Sequence, residues 1–262
     1  MEYNLNPEEC DVANYTTLPF LKHRARKSAE KWGFDRGWWH SRRPQHMYQV
    51  LHFPECGEMI VDPHYKKPID IISCPKNCSS SIKQIWAGIV FKNAHVESNT
   101  HVDVREKAYT KNNVTADQPW REQSIRIAIK RDPVERAFSA ATHILYYRYN
   151  LKDPSIEDYE RFFFGINHTL RYDPHVIPQS KFYGNDINFY DEVYDVKDFK
   201  TLAANIENTY SYNPNNKHEQ QPIQEVKKMV GMYASISLDS LPQRCIDRIK
   251  WLYRMDYEYG WC

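Results

Sequence analysis

Three short apolar runs in this chain each give way to apolar residues at helical spacing, and that alternation constrains the fold more than any other feature. In PIDIISC, Ile69, Ile71 and Ile72 make a short buried strand, and Ile82, Ile85, Trp86, Ile89 and Val90 follow at helical spacing. SIRIAIK, Ser124 to Lys130, alternates Ile125, Ile127 and Ile129 and runs into a helix with Ala137, Phe138, Ala141, Ile144 and Leu145 on one side. EVYDV, Glu192 to Val196, precedes a helix carrying Leu202, Ala203 and Ile206. Strands alternating with helices predict an α/β fold, a mainly parallel sheet with helices on both faces. Ser155 and Asp158 form a capping box that opens a further helix through Phe162–Phe164. Pro222 and Pro242 stand where first helical turns start, and the last helix carries Ile246, Ile249, Leu252 and Tyr253.

Composition limits what such a sheet can serve. The 262 residues suit one large domain or a domain with an appendage, and a hydrophobic fraction of 41% is enough for a core. A net charge of +1 gives no global field toward nucleic acid or membrane, so any basic function must be local. Eight glycines against 15 prolines argue against disorder and against a barrel rich in tight turns. No apolar run reaches the roughly 18 residues of a membrane span, and the polar start MEYNLNPEECDVANY is no signal peptide. The default expectation is a reduced cytoplasmic protein, or a Golgi-lumenal one if the chain is a truncated form.

Residues 1–67 lack strand alternation and read as a helical or irregular N-terminal appendage. Between Lys22 and Arg43 it holds eight Lys and Arg against Glu30 and Asp35. This stretch reads as a solvated amphipathic helix anchored by Trp38 and Trp39, or alternatively as a docking face for an acidic acceptor such as an anionic glycan. Nucleic acid is a weaker fit, because the rest of the chain is balanced in charge. The six cysteines, Cys10, Cys56, Cys74, Cys78, Cys245 and Cys262, show no zinc spacing. Glycosylation triplets at Asn14, Asn77, Asn113 and Asn167 read as chance matches in a protein that is not secreted.

Ligands of open α/β sheets bind beyond the carboxyl ends of the strands. The first exit reads Cys74-Pro75-Lys76-Asn77-Cys78-Ser79-Ser80-Ser81-Ile82. A lysine and three hydroxyls at a helix N-terminus suit an anion, through free N–H groups, hydroxyl donors and a point charge. The bland alternative is a serine-capped helix with an exposed lysine. A Walker loop would place the lysine after the turn and carry two glycines that are missing here. The second exit, Arg131-Asp132-Pro133-Val134-Glu135-Arg136-Ala137-Phe138-Ser139, offers a guanidinium fork at the strand end and a hydroxyl two turns into the helix. Arg136 reads either as part of this site or as a structural partner of Asp132 or Glu135.

With these motifs in hand, the chain resembles the sulfotransferases that use 3′-phosphoadenosine-5′-phosphosulfate (PAPS), in particular the Golgi-type carbohydrate sulfotransferases. Pro75-Lys76…Ser81 is similar to their 5′-phosphosulfate loop, and RDPxxRxxS, Arg131 to Ser139, to their 3′-phosphate site. DPHVIPQS, Asp173 to Ser180, resembles their HxxPQ element, and IKWLYRMDYEYG, Ile249 to Gly260, their closing helix. The resemblance covers residues 68–262. It departs from the family pattern at Cys78 and Ser79, where small residues, often glycine, are usual.

The resemblance implies a P-loop-kinase-like sulfotransferase domain over 68–262, with PAPS as sulfuryl donor and no metal. Lys76, Asn77, Cys78, Ser79, Ser80, Ser81, Ile82, Arg131 and Ser139 would bind the nucleotide, and Lys76 would also stabilise charge on the leaving oxygen. The acceptor would be a hydroxyl-bearing molecule such as a carbohydrate. For the base that takes the acceptor's proton, His101 is the first choice, followed by Glu97 and His95; His175 would position the acceptor or pack under the loop. Two other classes compete: a P-loop-like kinase, for which Asp132 is the one obvious magnesium ligand, and a non-catalytic nucleotide- or glycan-binding module. Binding of the bisphosphate product PAP in EDTA separates the first from the second, and binding of neither PAP nor ATP would favour the third.

Overall fold

The computed structural model describes residues 51–53, 64–91, 123–165, 175–210 and 236–262. The basic stretch 22–43, Cys10, Cys56, Pro222 and the interval holding His95, Glu97 and His101 lie outside them. Four strands form one sheet in sequential order: β1 (Leu51–His52), β2 (Ile69–Ser73), β3 (Ile125–Lys130) and β4 (Glu192–Asp195). β2, β3 and β4 are parallel, and β1 pairs antiparallel with β2. The fold is α/β, with three parallel strands flanked by helices.

The helices are α1 (Ser79–Phe91), α2 (Pro133–Tyr149), α3 (Ile156–Gly165), the single turn α4 (Ser180–Tyr183), α5 (Phe199–Tyr210), α6 (Gln243–Leu252) and α7 (Arg254–Glu258). The expected capping box is present at α3: the Ser155 N–H donates to Asp158 Oδ2 over 2.9 Å, and the Asp158 N–H donates back to Ser155 Oγ over 3.3 Å.

Strand alternation sorts the core into layers. Ile69 and Ile71 of β2, with Ile127 and Ile129 of β3, pack under Ile82, Ile85 and Trp86 of α1 and Leu202 and Ile206 of α5. The intervening residues Ile72 and Ala128 face the opposite way, against Phe182, Tyr183, Tyr190 and Trp261. A third cluster joins α2, α3 and α6 through residues such as Ala141, Phe163 and Ile249. Elements therefore cover both sheet faces, as the alternation predicts.

The expected appendage boundary between residues 67 and 68 is crossed by the core. Leu51, Phe53 and Tyr65 are buried in the α1–α5 layer, and β1 donates a sheet partner, Leu51 opposite Ile71. A two-residue edge strand leaves too short an alternation to be read from sequence.

Candidate functional site at the carboxyl edge of the sheet

The parallel register places Ser73 beside Ile129, and Lys130 beside Asp195, so β2, β3 and β4 all end on one edge. The segments leaving them touch one another. Arg131 Nη1 donates to the Lys76 carbonyl over 3.3 Å, and Arg131 Nε donates to Glu135 Oε2 over 3.4 Å. Lys197, just past β4, reaches the other oxygen of Glu135 at 3.2 Å. The structure thus brings together the two exits singled out from sequence and adds a third cation, Lys197, that sequence reasoning missed. The signal was present in the sequence, because Lys197 directly follows the third predicted strand, Glu192 to Val196, and so stands at a third carboxyl exit of a parallel sheet.

The first loop solves its glycine deficit by strain. Lys76 and Cys78 adopt φ of 74° and 56°, the left-handed region that glycine occupies freely. A non-glycine residue there costs of order 1–3 kcal/mol and persists only when its surroundings over-determine it. Those surroundings are identifiable. Asn77, fully buried between the two strained residues, donates through Nδ2 to the Ile129 carbonyl over 2.9 Å and lies within hydrogen-bond reach of Gln179 and Tyr183. Its N–H donates to the Cys74 carbonyl over 3.1 Å. Tyr183 extends the same brace: its hydroxyl accepts the Cys74 N–H over 2.8 Å and donates to the Ile129 carbonyl.

This geometry redistributes the expected binding residues. Asn77 is a buried strut of the loop, and its burial also removes it as a glycosylation acceptor in the folded chain. Ile82 belongs to the core under α1, with no exposed surface. Cys78 is half-buried beside Arg131; burial pushes its thiol up to about 11, although the Arg131 charge opposes the rise, so it is protonated at neutral pH. Ser79 is buried, whereas Lys76, Ser80 and Ser81 are partly accessible. Ser79, Ser80 and Ser81 form the first turn of α1, which contains no acidic residue. Their N–H groups have no intrahelical acceptor, and the helix dipole favours an anion there.

The second exit is built differently. The Asp132 carboxylate accepts the N–H groups of Val134 and Glu135, each over 2.9 Å, and so caps α2 internally. Any anion here must depend on side chains. Arg131 has two of its five N–H donors in the contacts above, which leaves capacity for an anion. Its guanidinium lies along α2 toward Glu135, and Ser139 stands one turn further on the same face. Beyond Ser139, His143 stacks on His175 with ring centroids 4.6 Å apart, so His175 packs on α2.

Arg136 resolves to a structural role with partners other than those expected. It is fully buried, and its guanidinium donates to the carbonyls of Pro75 over 3.0 Å and Ile177 over 2.8 Å. Buried carbonyls of loop and turn segments need donors, and a guanidinium supplies two in one plane. Asp256, also buried, accepts the N–H groups of Gln179 over 2.9 Å and Ser180 over 2.8 Å. Burial holds its carboxyl above the usual range, against those bonds and the nearby Arg136 charge. Among the described residues, no group of three or more His, Cys, Asp or Glu could hold a metal ion, and no helix is long and apolar enough to cross a membrane.

Comparison of the chain with family models, curated proteins and solved structures finds no match.

Proposed function

We propose that this chain is a sulfotransferase that uses PAPS, built on a P-loop-kinase-like sheet, and that it sulfates a hydroxyl-bearing acceptor such as a carbohydrate. One observation carries the reading. The Lys76 loop and the Arg131 exit, each suited to a phosphate by different chemistry, are joined through the Arg131–Lys76 carbonyl bond. A nucleotide phosphorylated at both its 3′ and 5′ positions matches two such neighbouring sites.

The residues divide the work as follows. Ser80, Ser81 and the first-turn N–H groups of α1, a turn with no acidic residue of its own, would hold the 5′-phosphate. Arg131 and Ser139 would hold the 3′-phosphate. When bound, PAPS supplies the sulfuryl group: an acceptor oxygen bonds to sulfur as the bridging S–O bond breaks and PAP departs. Lys76 would neutralise the charge that grows on that bridging oxygen, a role worth on the order of 10²–10³ in rate for a single preorganised donor. The acceptor's proton would pass to His101, with Glu97 and His95 next in order; His175, stacked on α2, would orient the acceptor or support the loop.

The test is calorimetry in EDTA with PAP, 5′-AMP and ATP. PAP should bind far more tightly than 5′-AMP, and Arg131→Ala should erase most of that difference, roughly 1.5–3 kcal/mol for a charged hydrogen bond. Equal wild-type affinities for PAP and 5′-AMP refute the two-phosphate reading, and tight magnesium-dependent ATP binding in its place would favour a kinase.

A further inference from the structure

The side chain of Gln179 is fully buried, and all four hydrogen-bonding positions of its amide are engaged. Oε1 accepts the Arg131 N–H over 3.0 Å and faces Asn77 Nδ2 at 2.5 Å. Nε2 donates to the Arg131 carbonyl over 2.7 Å and to the Trp261 carbonyl over 2.9 Å. The amide therefore pairs with both backbone groups of Arg131, one residue past the end of β3, as a neighbouring strand would. The same oxygen meets the strut of the Lys76 loop, and the same nitrogen meets the C-terminal segment. A carboxylate could not donate and an aliphatic chain could do neither, so the arrangement selects a primary amide of this reach.

We propose that Gln179 is a positioning residue that sets the spacing between the two anion-binding exits and ties it to the C-terminal segment. The inference rests on the sulfotransferase reading, because the spacing matters only to a ligand that spans both exits. Without Gln179, the strand pairing and the Asn77–Ile129 bond would still hold β3 beside the loop, but the Arg131 backbone itself would lose its link to Asn77 and to the C-terminal segment. A ligand held at two points is sensitive to such a change, since charge-assisted hydrogen bonds at its two ends weaken steeply once distance and angle leave their narrow optimum.

The experiment compares PAP with 5′-AMP on the wild type and on Gln179→Met, which keeps length and volume while removing every amide contact. In the folded variant the preference for PAP should fall about tenfold or more, as expected when partners of buried groups are lost, while 5′-AMP affinity changes little. A purely structural Gln179 would lower the unfolding midpoint and leave the preference intact, and that result overturns the inference but not the sulfotransferase reading. No PAP preference in the wild type overturns both. Should Gln179→Met fail to fold, amide exchange on the wild type decides. PAP should slow exchange in residues 254–262 as well as in 74–82, and protection confined to 74–82 would overturn the coupling.

Discussion

Cys78 shows how a single backbone angle can carry a functional argument. At φ 56°, flanking the buried Asn77 on the far side from Lys76 at 74°, it holds a conformation that a side chain resists. Glycine would relieve the strain but loosen the unfolded chain and forfeit the half-buried thiol, so Cys78→Gly should fall within about 1 kcal/mol of the wild type. Valine is branched at Cβ and resists this region most, so Cys78→Val should lose about 1–3 kcal/mol. Urea melts of the two variants give the comparison, and equal stabilities would mean that the loop is not strained at this position. That Lys76 and Arg131 stand at neighbouring strand exits was legible in the sequence, because charges that follow apolar runs stand out against them. Arg136 and Asn77 were not legible as struts. Their partners, Ile177 and Gln179, are far along the chain, and nothing local distinguishes a buried guanidinium or amide from an exposed one.

At the level of elements, the alternation of β2, β3 and β4 with helices was legible because each strand's apolar period is long enough to count. β1 was not, since its two residues are too few to show a period, and Leu51 is placed by pairing with β2 and by burial against distant core residues. Between β3 and β4, one side chain assists the ladder. Asp191 Oδ2 accepts both the backbone N–H of Arg126 over 2.8 Å and its guanidinium Nε over 3.2 Å. Burial is the largest single influence and raises the carboxyl, but the two Arg126 bonds, the guanidinium charge and the Lys67 charge together outweigh it and hold the group below its usual range. A depressed carboxyl contributes stability that is present above its unfolded value and lost as pH falls through the lower folded one. Asp191→Asn should therefore weaken the protein at neutral pH and flatten its acid-side stability profile below about pH 4. Because the pair is partly exposed, the loss should stay below about 1 kcal/mol. Urea midpoints at several pH values measure it, and parallel profiles for variant and wild type would exclude the role.

Across the whole molecule, the sheet's second face is closed by the end of this sequence. Trp261 has no exposed surface and packs on Tyr183 and Tyr190 with ring centroids 4.8 and 5.5 Å away. Its indole Nε1 donates to the Gly184 carbonyl over 2.9 Å, and its own carbonyl accepts from Gln179. The aromatic and acidic pattern of 249–260 was visible in sequence. Its destination was not, because a tryptophan beside a glycine reads equally well as a surface residue. Tyr183 is also the residue that braces the Cys74 N–H to the Ile129 carbonyl, so the Trp261 pocket and the Lys76 loop share a wall. Trp261→Ala should thus cost about 3–5 kcal/mol, the range for truncating a buried aromatic. It should also weaken PAP binding in whatever fraction stays folded, because the wall behind the loop loses its support. Trp261→Phe, which keeps a ring but not the indole donor, should lose less stability and retain most of the binding. Chemical denaturation and calorimetry on both variants decide the matter. A loss below about 1 kcal/mol for Trp261→Ala would show that this segment does not close the core.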